Sequence, residues 1–283
     1  MNEITISNSA KINLYLDVVG KRPDGYHELQ MVMQKISLYD EIYVSKVKSG
    51  IEVTCDKEHI PTGEKNIAYK AAKMFKDKLD IKDGVKIHIN KKIPDGAGLG
   101  GGSSDASAVL MAMNELFEMY LQKEELIDIG KAVGADVPFG LFYGTALAEG
   151  IGEKLTRIKM NARPYVVLVK PEFSVSTANV YSRYKVHKRP EQFSVEGIIK
   201  ALDTGDINDI GKNLYNSLET VTCIDFPEIN DIKQKLIEQG AKGSLMSGSG
   251  SAVFGIFDDR QFAEISCSVF KEKNKQVFLV ELV

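Results

Sequence analysis

Five glycines crowd into the seven residues Gly96–Gly102, within the run Pro94-Asp95-Gly96-Ala97-Gly98-Leu99-Gly100-Gly101-Gly102-Ser103-Ser104. Ordering so much glycine is entropically costly. A bare turn seldom needs it, whereas a backbone that must approach a ligand closely does. The next residues, Ala106, Val109, Leu110, Met113, Leu116 and Phe117, recur at helical spacing, with Ser103, Ser104 or Asp105 as the expected N-cap. Amides at a helix start carry partial positive charge, so a loop that runs into a helix suits a phosphate.

The kind of phosphate site narrows by exclusion. Gly96, Gly98 and Gly101 satisfy GxGxxG, but a dinucleotide fold also needs an acidic residue ending the next strand about twenty residues on. That distance lands in Glu115–Gln122, on or just past the expected helix. No Gly-Lys-Ser/Thr closes a P-loop, and the protein-kinase VAIK, HRD and DFG elements are absent. A nucleotide loop of another kind remains.

Other residues could do chemistry beside it. Asp136 is a lone carboxylate within Val133–Phe142, a stretch otherwise small or apolar. A buried, unpaired carboxylate is costly, so Asp136 must be paired or open to a cleft. A turn aspartate or helix cap before Pro138 is the alternative, and the residues alone leave both open. Ile12, Leu14, Leu16 and Val18 alternate as a strand, which puts Lys11, Asn13 and Tyr15 on the opposite face. Lys11 is either rigidly placed for a ligand or simply solvated. Tyr26-His27, after Pro23-Asp24-Gly25, offers an aromatic face beside a hydrogen-bonding ring. The pair could stack on a base and read its edge, or be a half-buried aromatic and a surface histidine. Gly243–Gly250 is a second glycine and serine loop, either a plain turn or part of the site.

The elements that must position these residues mix strand and helix throughout. Strand patterns fall at Ile4–Ile6, Ile12–Val18, Glu41–Val47, Gly50–Cys55, Val85–Ile89, Tyr165–Val169, Ala252–Phe257 and Val277–Leu282. Helical patterns fall at Ala68–Leu79, Val195–Leu202, Ile207–Leu218, Ile229–Ile237 and Gln261–Lys271. A composition shift at Glu153–Pro164 predicts domains at 1–158 and 159–283 in an α+β protein. The net charge of -3 argues against a nucleic-acid binder with a broad basic face. Cys55, Cys223 and Cys267 form no CxxC pair, which fits a reducing cytoplasm better than a disulfide framework or a zinc site. No stretch reaches membrane-spanning length, so no membrane association is expected, and nothing in the sequence calls for an obligate protein partner.

Pro94–Ser107 resembles the ATP-binding motif of the galactokinase, homoserine kinase, mevalonate kinase and phosphomevalonate kinase superfamily. Four more segments extend the resemblance across the chain: Ala10–Leu14, Arg22–His27, Gly134–Phe139 and Met246–Gly250. Within the superfamily they are most similar to the kinases that act on 4-diphosphocytidyl-2-C-methyl-D-erythritol in the non-mevalonate isoprenoid route. The resemblance implies a ribosomal-protein-S5-like α/β domain, then a ferredoxin-like α+β domain, with the active site in the cleft between them. It implies ATP with Mg2+, wrapped by Pro94–Ser104, and places Asn66 near the adenine. It implies Asp136 as acceptor of the substrate hydroxyl proton and Lys11 as the cation that keeps it ionised. Asn13, Tyr26, His27, Thr177 and Tyr181 would hold the acceptor substrate, a cytosine lying between Tyr26 and Tyr181. Tyr181 stands where close relatives carry phenylalanine, a change that preserves stacking. No glutamate matches the superfamily's metal ligand, so phosphates and water would hold the ion. The alternatives are a homoserine- or mevalonate-type kinase, which would need no base pocket at Arg22–His27, and a non-catalytic ATP sensor, which should have lost Lys11 or Asp136.

Overall fold

The runs at Ile4–Ile6 and Ile12–Val18 join into one long strand, β1 (Glu3–Lys21), and the run at Glu41–Val47 is the end of a second, β2 (His27–Val47). Both extend beyond the alternating pattern. Asn8 to Val18 is buried without a break, so both faces of β1 are covered and polar residues there answer to tertiary partners. The computed structural model describes residues 2–272 and 276–283. By its contacts the chain groups into two units. One is Met1–Ala10, Leu38–Ile93 and Gly100–Tyr143; the other is Lys11–Ser37, Pro94–Leu99 and Gly144–Val283.

The first unit adds β3 (Ile51–Cys55), α1 (Ile67–Leu79), β4 (Gly84–Asn90), α2 (Gly101–Leu116), α3 (Lys123–Val133) and α4 (Val137–Gly140). β4 pairs antiparallel with Glu41–Val47 of β2 and parallel with β3. Ala68, Ala71, Ala72 and Phe75 of α1 and Val109, Leu110 and Met113 of α2 meet Ile42, Val44, Val53, Ile87 and Ile89 in one core. Each fully buried Val, Ile, Leu or Phe of that core is worth about 1.5–3 kcal/mol of burial.

The expected side-chain cap of α2 is corrected. The helix starts earlier, at Gly101, with Gly100 at φ 69° as N-cap and no side-chain cap bond. A Cβ on residue 101 would lie 2.9 Å from Ile93 Cγ2 and 3.0 Å from Lys91 Nζ. Glycine therefore lets the helix begin against Ile93, and Ser103 to Asp105 fall inside its first turns.

The second unit contains β5 (Thr145–Gly150), β6 (Lys154–Ile158), β7 (Tyr165–Lys170), α5 (Thr177–Arg183), α6 (Val195–Thr204), α7 (Ile207–Asn213) and β8 (Tyr215–Asn216). There follow α8 (Glu219–Asp225), α9 (Glu228–Glu238), β9 (Gly243–Met246), β10 (Val253–Phe257), α10 (Arg260–Lys271) and β11 (Gln276–Glu281). β5 pairs antiparallel with Leu29–Gln34 of β2 and with β6. Among the described residues a four-stranded antiparallel sheet runs β11-β7-β10-β9. Counted from β7, that order is last, first, third, second, with α9 and α10 packed against it, which is the expected ferredoxin-like arrangement.

Two expectations fail here. The helix expected over Ile207–Leu218 stops at Asn213, and Tyr215 and Asn216 pair parallel with Tyr15 and Leu16. Strand pairing with β1 overrides local helical spacing. Half of the expected loop Gly243–Gly250 is strand β9. Gly243 and Gly211 are there because backbones cross: a Cβ on residue 243 would lie 2.5 Å from Gly211 Cα.

Candidate active site

In the second unit, four consecutive carbonyls of the glycine run are tied to the fold. Gly96 O accepts from Val175 N (3.3 Å), Ala97 O from Ala252 N (3.1 Å), Gly98 O from Ser247 Oγ (3.0 Å) and Leu99 O from Lys11 N (3.0 Å). The C=O and N–H of a peptide point in opposite directions. Each pinned carbonyl thus turns the N–H of its own peptide away from the partner that holds it, an arrangement that suits an anion. Gly98 is indispensable to it, since at φ 74° a Cβ would lie 2.0 Å from Ser247 O. Pro94 is half-buried at the start of the run, and Asp95 and Gly96 are exposed.

Lys11 and Asn13 come together on one face of β1, as the strand period requires. Lys11 is 7% exposed, and its Nζ donates to Asn13 Oδ1 at 2.7 Å. A Cβ on Gly248 would lie 3.5 Å from Lys11 Nζ, so the Ser247–Ser251 turn sits beside the ammonium. Thr177 Oγ1 shares a hydrogen bond with Ser249 Oγ (2.8 Å), which joins the start of α5 to that turn.

Of the three expected aromatic residues, the structure pairs two. His27 and Tyr181 have ring centroids 5.4 Å apart, and Tyr184 meets His27 edge-on at 6.3 Å. Desolvation, with Lys21 adding to it, lowers the His27 pKa and favours the neutral ring. A neutral imidazole can donate one hydrogen bond and accept another. Tyr26 is 60% exposed, in a turn held by Asp24 Oδ1 accepting from Tyr26 N (3.1 Å) and by Arg22 N donating to Tyr26 O (2.8 Å).

In the first unit, the run continues through Gly100 into α2, whose leading amides have no intrahelical acceptor. Gly102 is exposed and Ser103 half-buried. Ser104 points inward, its Oγ donating to Ser9 O (3.0 Å). Asp136 holds the N-cap position of α4 at φ -86° and ψ -9°, half-buried, with no side-chain cap bond. The helix-cap alternative therefore does not account for its side chain. Asn66 does cap: its Oδ1 accepts from Ala68 N (2.8 Å) and its amide donates to Pro61 O (2.6 Å).

Sequence reasoning missed two buried networks in this unit. Asn8 donates to Ser104 O (3.0 Å), Ser107 Oγ (3.0 Å) and Gly140 O (3.1 Å), which fastens α2 to the end of α4. A polar Asn-Ser doublet breaking a strand pattern was its only signal. Beneath the start of α2, Lys91 pairs with Asp105 (2.8 Å) and with Asp40. Asp40 Oδ1 also accepts from Lys92 N (2.6 Å) and Ile93 N (2.8 Å), whereas Asp105 Oδ1 has no partner among the described residues. Burial raises the Asp105 pKa to about 8 against the opposing pull of Lys91, with Asp40 adding to the rise. A carboxyl whose pKa is higher folded than unfolded stabilises fully below the unfolded value and loses that contribution as pH climbs through the folded one. Between about pH 4 and pH 8, wild type should therefore lose thermal stability relative to Asp105→Asn. Parallel melting-temperature profiles for the two proteins would contradict this.

Among the described residues there is no cluster of three or more His, Cys, Asp or Glu able to hold a metal ion. No helix is long and apolar enough to cross a membrane. The three cysteines are free thiols.

Comparison with known proteins identifies the family. The family model for the GHMP kinase N-terminal domain matches residues 66–144, and that for the GHMP kinase C-terminal domain matches residues 198–276. The chain belongs to the GHMP kinases and is a phosphotransferase. It is 48% identical over 283 residues, all of both chains, to the 4-diphosphocytidyl-2-C-methyl-D-erythritol kinase of Acetivibrio thermocellus. It is also 48% identical over 274 residues to that of Clostridium botulinum strain Langeland, covering 97% of this chain and 98% of the relative. Those identities place it in the 4-diphosphocytidyl-2-C-methyl-D-erythritol kinase branch of the family. A crystal structure of 4-(cytidine 5'-diphospho)-2C-methyl-D-erythritol kinase matches with a TM-score of 0.84 and 34% identity over 99% of each chain. A homoserine kinase from Cytophaga hutchinsonii matches at 0.78 with 18% identity, covering 100% of this chain and 95% of that one, and shares the fold.

Proposed function

We propose that the chain transfers the γ-phosphoryl group of ATP to the 2-hydroxyl of 4-diphosphocytidyl-2-C-methyl-D-erythritol, releasing ADP, as a step towards isoprenoid precursors in the cytoplasm. The observation that carries the nucleotide half is the set of four consecutive loop carbonyls anchored from Gly96 to Leu99. The relatives named above carry the acceptor half. In this reading the amides of Gly96–Gly102 and the start of α2 hold the triphosphate, with Ser103 adding a hydroxyl. Magnesium would come with the nucleotide and would supply charge neutralisation at its phosphates. Domains at 1–158 and 159–283 remain part of this reading, with one family model, at 66–144 and 198–276, lying inside each.

The transition state of phosphoryl transfer is loose, so positioning and charge neutralisation outweigh strong deprotonation. The substrate oxygen forms a bond to Pγ as the bond from Pγ to the bridging oxygen breaks, and the hydroxyl proton passes to Asp136. Lys11, steadied by Asn13, offsets the charge on the moving phosphoryl group. Tyr26 and Tyr181 stack on the cytosine, and neutral His27 reads its edge. Thr177 lies at the start of the helix that carries Tyr181.

An ADP-release assay with a panel of acceptors tests the reading. The cytidylylated methylerythritol should turn over, and homoserine and mevalonate should not. Tyr26→Ala should raise the KM for the cytidylylated acceptor by the roughly 1–3 kcal/mol of one base stack, with the KM for ATP unchanged. Turnover of mevalonate or homoserine at a comparable kcat/KM would refute the acceptor assignment.

A further inference from the structure

Asn216 lies far from the glycine run in sequence, yet the run depends on it through one intermediary. It is 3% exposed, and all its side-chain groups are engaged. The amide donates to Met246 O (2.8 Å) and Gly248 O (2.7 Å), and Oδ1 accepts from Leu218 N (3.0 Å). The two carbonyls flank Ser247, so Asn216 grips the turn on both sides of that residue.

Ser247 is the residue that meets Gly98. Its hydroxyl donates to Gly98 O (3.0 Å), and its carbonyl occupies the space that a Cβ on residue 98 would need. Gly248 follows at φ 56°, where a Cβ would lie 3.1 Å from Gly98 O and 3.5 Å from Lys11 Nζ. A small shift of this turn would therefore move both the Gly98 peptide and the surroundings of the ammonium.

The other end of Asn216 is anchored to the strand that carries Lys11. Leu16 pairs with Asn216, and Ser217 N donates to Leu16 O (2.9 Å). Neighbouring residues add to the grip, with Glu219 Oε1 accepting from Met246 N (2.9 Å) and Thr222 Oγ1 donating to Ser249 O (3.2 Å).

We propose that Asn216 is a positioning residue for phosphoryl transfer. It sets the register of the Ser247–Gly248 turn between β1 and Gly98, and so fixes the nucleotide cradle beside Lys11. The inference rests on the kinase reading above. No other side chain of that size offers two donors and an acceptor. Aspartate has the same shape but only accepts, so it would leave the Met246 and Gly248 carbonyls facing like charge.

The test compares wild type, Asn216→Asp and Ser266→Ala in the full-length chain. Binding of a non-hydrolysable ATP analogue is measured by calorimetry, alongside steady-state kinetics and melting temperature. Ser266→Ala removes a buried hydrogen bond to Gln239 in the same unit and serves as the destabilised control. Asn216→Asp is expected to bind the analogue about tenfold more weakly or worse, for two lost buried hydrogen bonds. The KM for ATP should rise and kcat fall, while the KM for the acceptor stays within about twofold. Ser266→Ala should lose stability without any change in analogue affinity. Should Asn216→Asp fail to fold, Asn216→Ser, which keeps one donor, carries the same expectation. A folded Asn216 variant with wild-type affinity for the analogue overturns this inference alone. Wild type that does not bind the analogue overturns the kinase reading and this inference together.

Discussion

Asp136→Ala is expected to lower kcat by about 10²–10⁴-fold, the range contributed by a positioned proton acceptor. The KM for ATP should stay near the wild-type value, because the proposed role concerns only the acceptor hydroxyl. Asp136 occupies the N-cap position of the four-residue helix α4, yet its side chain makes no capping bond. Removing it therefore costs the helix none of the roughly 1 kcal/mol that a capping aspartate would supply. Loss of turnover in a variant with a wild-type melting temperature would be a chemical effect. Asp136→Asn, which keeps the shape and removes the charge, should fall as far. A fall in kcat and kcat/KM together marks an interaction made in the transition state. Turnover within a few-fold of wild type would end the assignment of Asp136 as proton acceptor.

The second large effect is expected at Gly98. Alanine there meets two faults at once. The φ of 74° lies in the left-handed region, which costs an L-residue about 1–2 kcal/mol. The new Cβ would sit 2.0 Å from Ser247 O, a backbone atom that cannot rotate away. Either Gly98 or the Ser247 turn must move, and both belong to the proposed phosphate cradle. Gly98→Ala should therefore weaken ATP binding by about 5- to 30-fold from the dihedral cost alone, at 1.4 kcal/mol per decade, and by more once the clash is added. Ser247→Ala offers the graded comparison. It removes only the hydroxyl bond to Gly98 O, worth about 1 kcal/mol, and should cost a smaller factor. An ATP affinity for Gly98→Ala equal to or better than that of Ser247→Ala would show that the loop does not grip the nucleotide.

Several parts of the fold were legible because a local signal and a tertiary need agreed. Ala68–Leu79 reads as a helix with apolar spacing, and α1 spans Ile67–Leu79 with an Asn66 cap. Val85, Ile87 and Ile89 alternate, and β4 buries all three. Legibility ended where distant contacts ruled. Tyr215 and Asn216 look like the end of a helix until β1 supplies a strand to pair with. Ser103 and Ser104 look like caps until Ile93 and Lys91 demand glycine at the point where α2 starts. Asn8, Asp40, Lys91 and Asn216 gave almost no warning, since a polar residue reveals its partner only after folding.

By itself the sequence determined the chemistry on offer: a glycine-dense run entering a helix, a lysine and asparagine on one strand face, and a lone aspartate before a proline. Residue type and short-range period suffice for these, because strand and helix geometry is local. Only the tertiary structure decided that the carbonyls of Gly96–Leu99 are each held by a distant residue, and that Ser247 O occupies the space beside Gly98. It also decided that Ser104 spends its hydroxyl on the scaffold, at Ser9 O. Hydrogen bonds between residues some hundred positions apart leave no period in a sequence, so the direction in which a loop peptide faces emerges only when its distant partners arrive.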